Sequence, residues 1–231
     1  MASFVTRFTN GRRPRSQVRK WEPADYDMIA RMTLSLEDVD WPVRTRRLVI
    51  RPTIDDDEEG IWSYRRLETT STWLNAMLLG RAAFKAWFQD RAERANTLVV
   101  EHRGSVIGNL LVRVEDAWSQ TEVREQAAGT QAEIGWVLRP DHLGHGYATE
   151  AVQEILRVCF DQLGLRRVVA GCFAANIASW QLMERVGMRR EQHTVRDALH
   201  RSGEWMDGYG YALLADEWRS RAGGDQDTSD R

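Results

Sequence analysis

Lysine is almost missing from this chain. Of 32 basic residues only Lys20 and Lys85 are lysine, which reads as a compositional bias toward arginine and not as a functional signal. Cysteine is nearly as scarce: Cys159 and Cys172 cannot build a disulfide framework, so the expected setting is a reducing cytoplasm. Long apolar runs are missing too. The longest, Val168 to Ala175, falls far short of the roughly 20 residues that a membrane helix needs. The N-terminus lacks the apolar stretch of a secretory signal. Neither sign of charge dominates, with 32 basic against 34 acidic residues, which speaks against a general nucleic-acid binder.

What is present describes a globular protein. The 231 residues allow one large domain or one domain with appendages, and 42% hydrophobic content is ordinary for a folded chain. Ten tryptophans are an excess, since aromatic area of this kind concentrates in cores and binding sites. Residues 1–20 carry Arg7, Arg12, Arg13, Arg15, Arg19 and Lys20 with no acidic residue, the signature of a flexible basic arm. Trp21, Tyr26, Met28, Ile29 and Met32 suit a short amphipathic helix, and the polar stretch from Ala222 to Arg231 suits a disordered tail.

Regular patterning begins at Arg44. Leu48 and Ile50 alternate with Arg47 and Arg51 in a strand ended by Pro52. Thr53 is a hydroxyl cap candidate before the acidic run Asp55 to Glu59, and Ile61, Tyr64 and Leu67 continue at helical spacing. Phe84, Trp87 and Phe88 mark a second helix. Two apolar strands flank His102-Arg103-Gly104-Ser105, a hairpin signal, and residues 115–131 read as a long exposed loop. Then come a strand over Ile134–Leu138, a helix over Thr149–Leu163, a strand over Val168–Phe173 and a helix over Asn176–Arg185 stopped at Gly187. Two last strands turn at Gly203.

The segment Ala132 to Ala151 carries the chemistry. It is a strand, a glycine-bearing loop and a helix start, so free backbone N–H groups and the positive dipole end could hold an anion. Gly144 and Gly146 would let the backbone approach it. No Lys-Ser/Thr pair follows, which excludes a Walker loop, and Thr149 replaces the third glycine of a dinucleotide motif.

Leu143-Gly144-His145-Gly146-Tyr147-Ala148-Thr149-Glu150-Ala151 resembles the acetyl-CoA loop of the GNAT N-acetyltransferases, most of all the RimJ/RimL-type branch. Arg46 to Pro52 is similar to that branch's opening strand. Asn176, Ser179 and Glu184 to Met188 are similar to its Asn-x-x-Ser…Glu-x-x-Gly-Phe run, and Gly203 to Asp207 to its Gly-x-Trp-x-Asp hairpin.

The resemblance implies a mixed α/β fold with a mostly antiparallel sheet of six or seven strands, splayed at strands 4 and 5 and flanked by about four helices. It implies an acetyltransferase domain over residues 44–216, a basic extension over 1–43 and a tail over 217–231. Trp136, Val137 and Leu138 would line the splay. The pyrophosphate of acetyl-CoA would rest on Leu143, Gly144, His145, Gly146, Tyr147, Ala148 and Thr149. Asn176 and Ser179 would face the pantetheine and thioester. Glu133 matches the glutamate that serves as general base, and Ser179 would stabilise the leaving thiolate. The acceptor would be a primary amine, on a protein N-terminus or a small molecule.

Two residues depart from the family pattern. Leu143 stands where arginine or glutamine is usual, with Arg139 or His145 as possible substitutes for the lost polarity. Met183 stands where many members have a tyrosine acid. These departures motivate the alternative of a non-catalytic acyl-CoA-binding module, against which Glu133, Asn176 and Ser179 speak. Asp207, Asp197 and Glu204 are rival carboxylates, Asp207 being the more structural. His142 and His145 lack partners for a metal site. His193 and His200 suit an exposed turn. Cys159 and Cys172 suit packing. Homodimers are common among similar proteins, and the basic arm could steer the chain to ribosomal RNA or an acidic partner. Trp62, Trp73 and Trp205 are the indoles most suited to an acceptor pocket.

Overall fold

A computed structural model describes residues 34–224, with side chains to 221. The basic arm, the helix expected over 21–32 and the end of the tail lie outside these residues. Among the described residues eight strands form one sheet: β1 Val43–Arg44, β2 Leu48–Pro52, β3 Thr97–His102, β4 Ser105–Glu115, β5 Gln131–Leu138, β6 Arg167–Phe173, β7 Arg189–Leu199 and β8 Trp205–Leu214. Their order is β1-β2-β3-β4-β5-β6-β8-β7. Every neighbouring pair is antiparallel except β5 and β6.

Among the described residues eight α-helices flank the sheet: α1 Glu58–Arg65, α2 Glu68–Ser71, α3 Gly80–Gln89, α4 Arg91–Ala95, α5 Arg124–Ala127, α6 Tyr147–Arg157, α7 Ile177–Arg185 and α8 Ala215–Gly224. The counts exceed the expected six or seven strands and about four helices because β1, α2, α4 and α5 are each five residues or fewer. Among the described residues, no helix is long and apolar enough to cross a membrane.

The sheet has two differently packed faces. Alternation puts Leu110 and Val112 of β4 with Ala132, Ile134 and Leu138 of β5 against Ala151, Val152, Ile155 and Leu156 of α6. The opposite face is covered by α1 and α3 through Ile61, Tyr64, Phe84 and Phe88. Asn109, Leu111 and Arg113 of β4 pair with Val137, Gly135 and Glu133 of β5 and share that second face.

Several local expectations change. Thr53 does not cap a helix. Its hydroxyl donates to the Thr97 carbonyl at 2.9 Å, and the Asp57 carboxylate caps the turn by accepting from the Ile54 N–H at 2.8 Å. The loop at 115–131 contains a 3-10 turn, Thr121–Val123, and α5. Within residues 34–43, Leu36, Val39 and Val43 are buried in the main core. The Trp41 indole N–H donates to the Leu36 carbonyl at 2.7 Å, and α8 carries the fold past residue 216.

Candidate active site

β5 and β6 run side by side for only three residue pairs, Gln131–Arg167, Ala132–Val168 and Glu133–Val169. Beyond Glu133 the strands part. From there β5 keeps β4 on one side, and β6 keeps β8 on its far side. A cleft of about 1610 Å³ passes through this fork, with α6 and α7 at one end and α1, α2 and Trp87 at the other.

The α6 end is an anion cradle. A 3-10 turn, Pro140–His142, leads into Leu143 and two glycines in the left-handed region, Gly144 at φ 78° and Gly146 at φ 77°. A side chain would strain both positions. No side chain caps α6. Among the described residues, none of the six N–H groups from Gly144 to Thr149 donates to a protein acceptor. An added Cβ at Gly144 would meet open space, and at Gly146 only the Arg47 Nη2 at 3.5 Å. Six free donors, a helix dipole and open room fit a pyrophosphate.

Arg47, on the strand opening, holds this loop from behind. Its Nε donates to Glu150 Oε2 at 2.6 Å and its Nη1 to the His145 carbonyl at 2.9 Å. Its guanidinium lies 4.6 Å from the centre of the Tyr147 ring. Thr45 Oγ1 and the Arg47 backbone N–H also donate to Glu150, at 2.5 and 2.9 Å. Burial raises the Glu150 pKa, but these donors outweigh it and hold the carboxyl below its ordinary range. His102 packs on Tyr147, its Nε2 3.3 Å from the phenol oxygen, and its pKa is lowered by desolvation and then by Arg103, His142 and Arg47.

Leu143 is 59% exposed and offers no polarity. Arg139 does not replace it, because its guanidinium is committed to Asp141 at 2.7 and 3.2 Å. Of the side chains expected to compensate, neither Arg139 nor His145 lines the cleft among the described residues, whereas Arg46, Arg47 and Arg185 do. Arg185 Nη1 reaches Thr149 Oγ1 at 3.2 Å. Nothing in the motif spacing pointed to Arg185, which stands 36 positions after Thr149 at the end of α7.

At the fork, Glu133 accepts from Arg113 Nη1 at 2.8 Å, with both side chains about two-fifths exposed (40% and 42%). Trp136, Val137 and Leu138 also line the cleft. Asn176 caps α7, its side chain accepting from the Ser179 N–H at 3.4 Å. Both residues reach the cleft wall. Met183 is fully buried, so it offers nothing to the site. Cys172 lines the cleft, and burial pushes its thiol up to about 11. Cys159 lies in the core with its thiol pushed up to about 12.

The other candidates sort by position. Asp207 accepts from the Arg196 N–H at 3.0 Å and lies 2.9 Å from His193 Nε2, so it braces the last hairpin. His193 belongs to β7, not to a turn. His200 does sit at the turn, 2.9 Å from the Thr72 carbonyl. Among the described residues, no group of three His, Cys, Asp or Glu side chains could hold a metal. Trp73, Trp87 and Trp136 line the cleft. Trp62 packs on Phe84 instead, and Trp205 is 56% exposed elsewhere.

A family model described as an acetyltransferase (GNAT) domain matches residues 47–189. The uncharacterized N-acetyltransferase YnaD of Bacillus subtilis is 43% identical over 86 residues, 37% of this chain and 50% of that protein. The match therefore spans about half of that relative. The uncharacterized N-acetyltransferase YoaA of the same organism is 27% identical over 183 residues, 74% of this chain and 96% of that protein. A GNAT-family acetyltransferase structure from Bacillus anthracis superposes with a TM-score of 0.64 at 27% identity, covering 76% of this chain and 99% of that one. A spermidine N-acetyltransferase from Vibrio cholerae, solved with CoA and spermine, gives a TM-score of 0.59 at 18% identity over 75% and 99% of the two chains. That last likeness is one of fold.

Proposed function

Because the chain belongs to the GNAT acetyltransferase family, we propose that it transfers an acetyl group from acetyl-CoA to a primary amine by direct attack within the cleft. The observation that carries this reading is the fork itself. An anion cradle with six free N–H donors lies at one end of a continuous cleft, and a carboxylate, Glu133, stands where β5 and β6 part.

Residues Gly144 to Thr149 would hold the pyrophosphate, with Arg185 supplying the cation that Leu143 does not. The edges of β5 and β6 that part beyond Glu133 would flank the pantetheine. Acetyl-CoA, when bound, supplies the activated thioester. The chain's own residues do the rest. Glu133 takes a proton from the amine, directly or through water, since a protonated amine has no lone pair to attack with. Arg113 orients that carboxylate through its hydrogen bond. The Ser179 hydroxyl donates a hydrogen bond where thiolate charge develops; an ordinary serine is too weak an acid to protonate it outright.

The RimJ/RimL-type branch rests on motif likeness, a cytoplasmic setting on the scarcity of cysteine and a homodimer on similar proteins, and all three are part of this proposal. Thiol release from acetyl-CoA against a panel of primary amines and peptide N-termini tests it. Turnover with at least one amine is expected. Tight CoA binding with no turnover on any amine would favour a non-catalytic acyl-CoA-binding module.

A further inference from the structure

The α1 end of the cleft contains a charge without a partner. Arg65, the last residue of α1, is 9% exposed, yet among the described residues its guanidinium makes no ion pair and donates no hydrogen bond. Buried charges are normally paired, and desolvating one without compensation is costly. Here burial pulls the Arg65 pKa down, with Tyr64 and the Glu93 carboxylate opposing more weakly. Glu93 is occupied in accepting from the Trp87 indole N–H at 3.1 Å. Trp87 in turn presents its ring face to Arg65, whose guanidinium carbon lies 4.8 Å from the ring centre. The arginine is therefore held in place by a stack and left with its N–H fork free.

A second unpartnered polar atom lies on the same wall. The Thr70 hydroxyl on α2 is buried and has no hydrogen-bond partner among the described residues. Arg65, Thr70 and Trp87 line the cleft with Arg113 and Glu133, on the sheet face away from α6.

Resting on the acetyltransferase reading above, we propose that Arg65 anchors the acceptor, and that the acceptor is a small amine carrying a carboxylate. The planar guanidinium fork matches a carboxylate bidentately. A carboxylate held there leaves the amine of the same molecule free to extend through the cleft that Glu133 also lines. A peptide N-terminus has its nearest carboxyl tied up in an amide and would leave Arg65 unpaired.

The test separates this subsite from catalysis by using ligands that cannot be acetylated. N-acetylphenylalanine and N-acetylphenylalanine amide differ only in the carboxylate. Each is titrated calorimetrically into the full chain, with and without CoA. The acid should bind about 10- to 100-fold tighter than the amide, the range of a hydrogen-bonded charge pair. Arg65→Met should collapse that difference while its melting temperature stays level or rises, because an unpaired buried charge is removed and the stem packing kept. Arg65→Lys should keep part of the preference. Equal affinity for acid and amide, no binding of either, or a preference that survives Arg65→Met would overturn the proposal. Should Arg65→Met not fold, an undiminished preference in Arg65→Lys would do the same. Absence of turnover with every amine would sink the acetyltransferase reading and leave this measurement standing.

Discussion

Arg47 Nε donates to Glu150 Oε2 at 2.6 Å, tying the start of the second strand to the first turn of the helix that carries the anion cradle. The same arginine reaches the His145 carbonyl, so one side chain fixes both the loop and the helix it opens. Arg47→Met should raise the CoA Kd about tenfold, the effect of losing one charge-assisted bond that positions a binding loop. The pH dependence has a definite sign. Glu150 is held below its ordinary carboxyl range, so the clamp is fully present above that range and is lost as pH falls through the lowered folded value. CoA affinity should be insensitive to this group from neutrality down to about pH 4.3, the ordinary glutamate value, and fall only below it. Calorimetry across pH checks both.

Gly146→Asp should abolish CoA binding without unfolding the protein. The backbone there is at φ 77°, so a side chain adds about 1–2 kcal/mol of strain, which a domain of ordinary stability survives. The new Cβ would stand 3.5 Å from the Arg47 Nη2, so the carboxylate adds negative charge at the loop and competes with phosphate for that arginine. A folded variant with no heat of CoA binding is the expected result.

Arg185→Ala should weaken CoA binding by about three- to tenfold, and the loss should shrink as salt is raised, since the residue is exposed. Its hydrogen bond to Thr149 Oγ1 places it at the mouth of the cradle. Titrations at low and high ionic strength measure the effect.

Cys172 should not form an acetyl-enzyme. Its thiol is pushed up to about 11 by burial. At pH 8 only about one molecule in a thousand would carry the thiolate that a covalent step needs. Incubation with labelled acetyl-CoA and no amine should leave Cys172 unlabelled by mass spectrometry, and iodoacetamide should modify it slowly.

The order of strands and long helices was legible because periodicity is local. β2, the β3–β4 hairpin, α3, α6 and α7 each carry their pattern in adjacent residues. The glycine loop was legible because its conformation demands glycine at two fixed positions. What sequence reasoning missed depends on contacts between distant residues. Arg47 meets Glu150 across 103 positions, and Arg185 meets Thr149 across 36. Arg65 had no signal at all: in the sequence it is one arginine among thirty, and only the fold shows it buried without a partner. Thr53 misled for the opposite reason. It has cap chemistry in the right place, but the Thr97 carbonyl on β3 competes for its hydroxyl, and Asp57 does the capping.

The pH–rate profile of Glu133→Gln beside the wild-type protein tests the central claim most directly, using thiol release from acetyl-CoA with a turned-over amine. At neutral pH the variant's kcat should be about 10²-fold lower, a general-base contribution. The gap should narrow as pH rises and the amine loses its proton unaided. Equal rates at neutral pH, or a gap that stays constant into alkaline solution, would contradict the role of Glu133 at the fork.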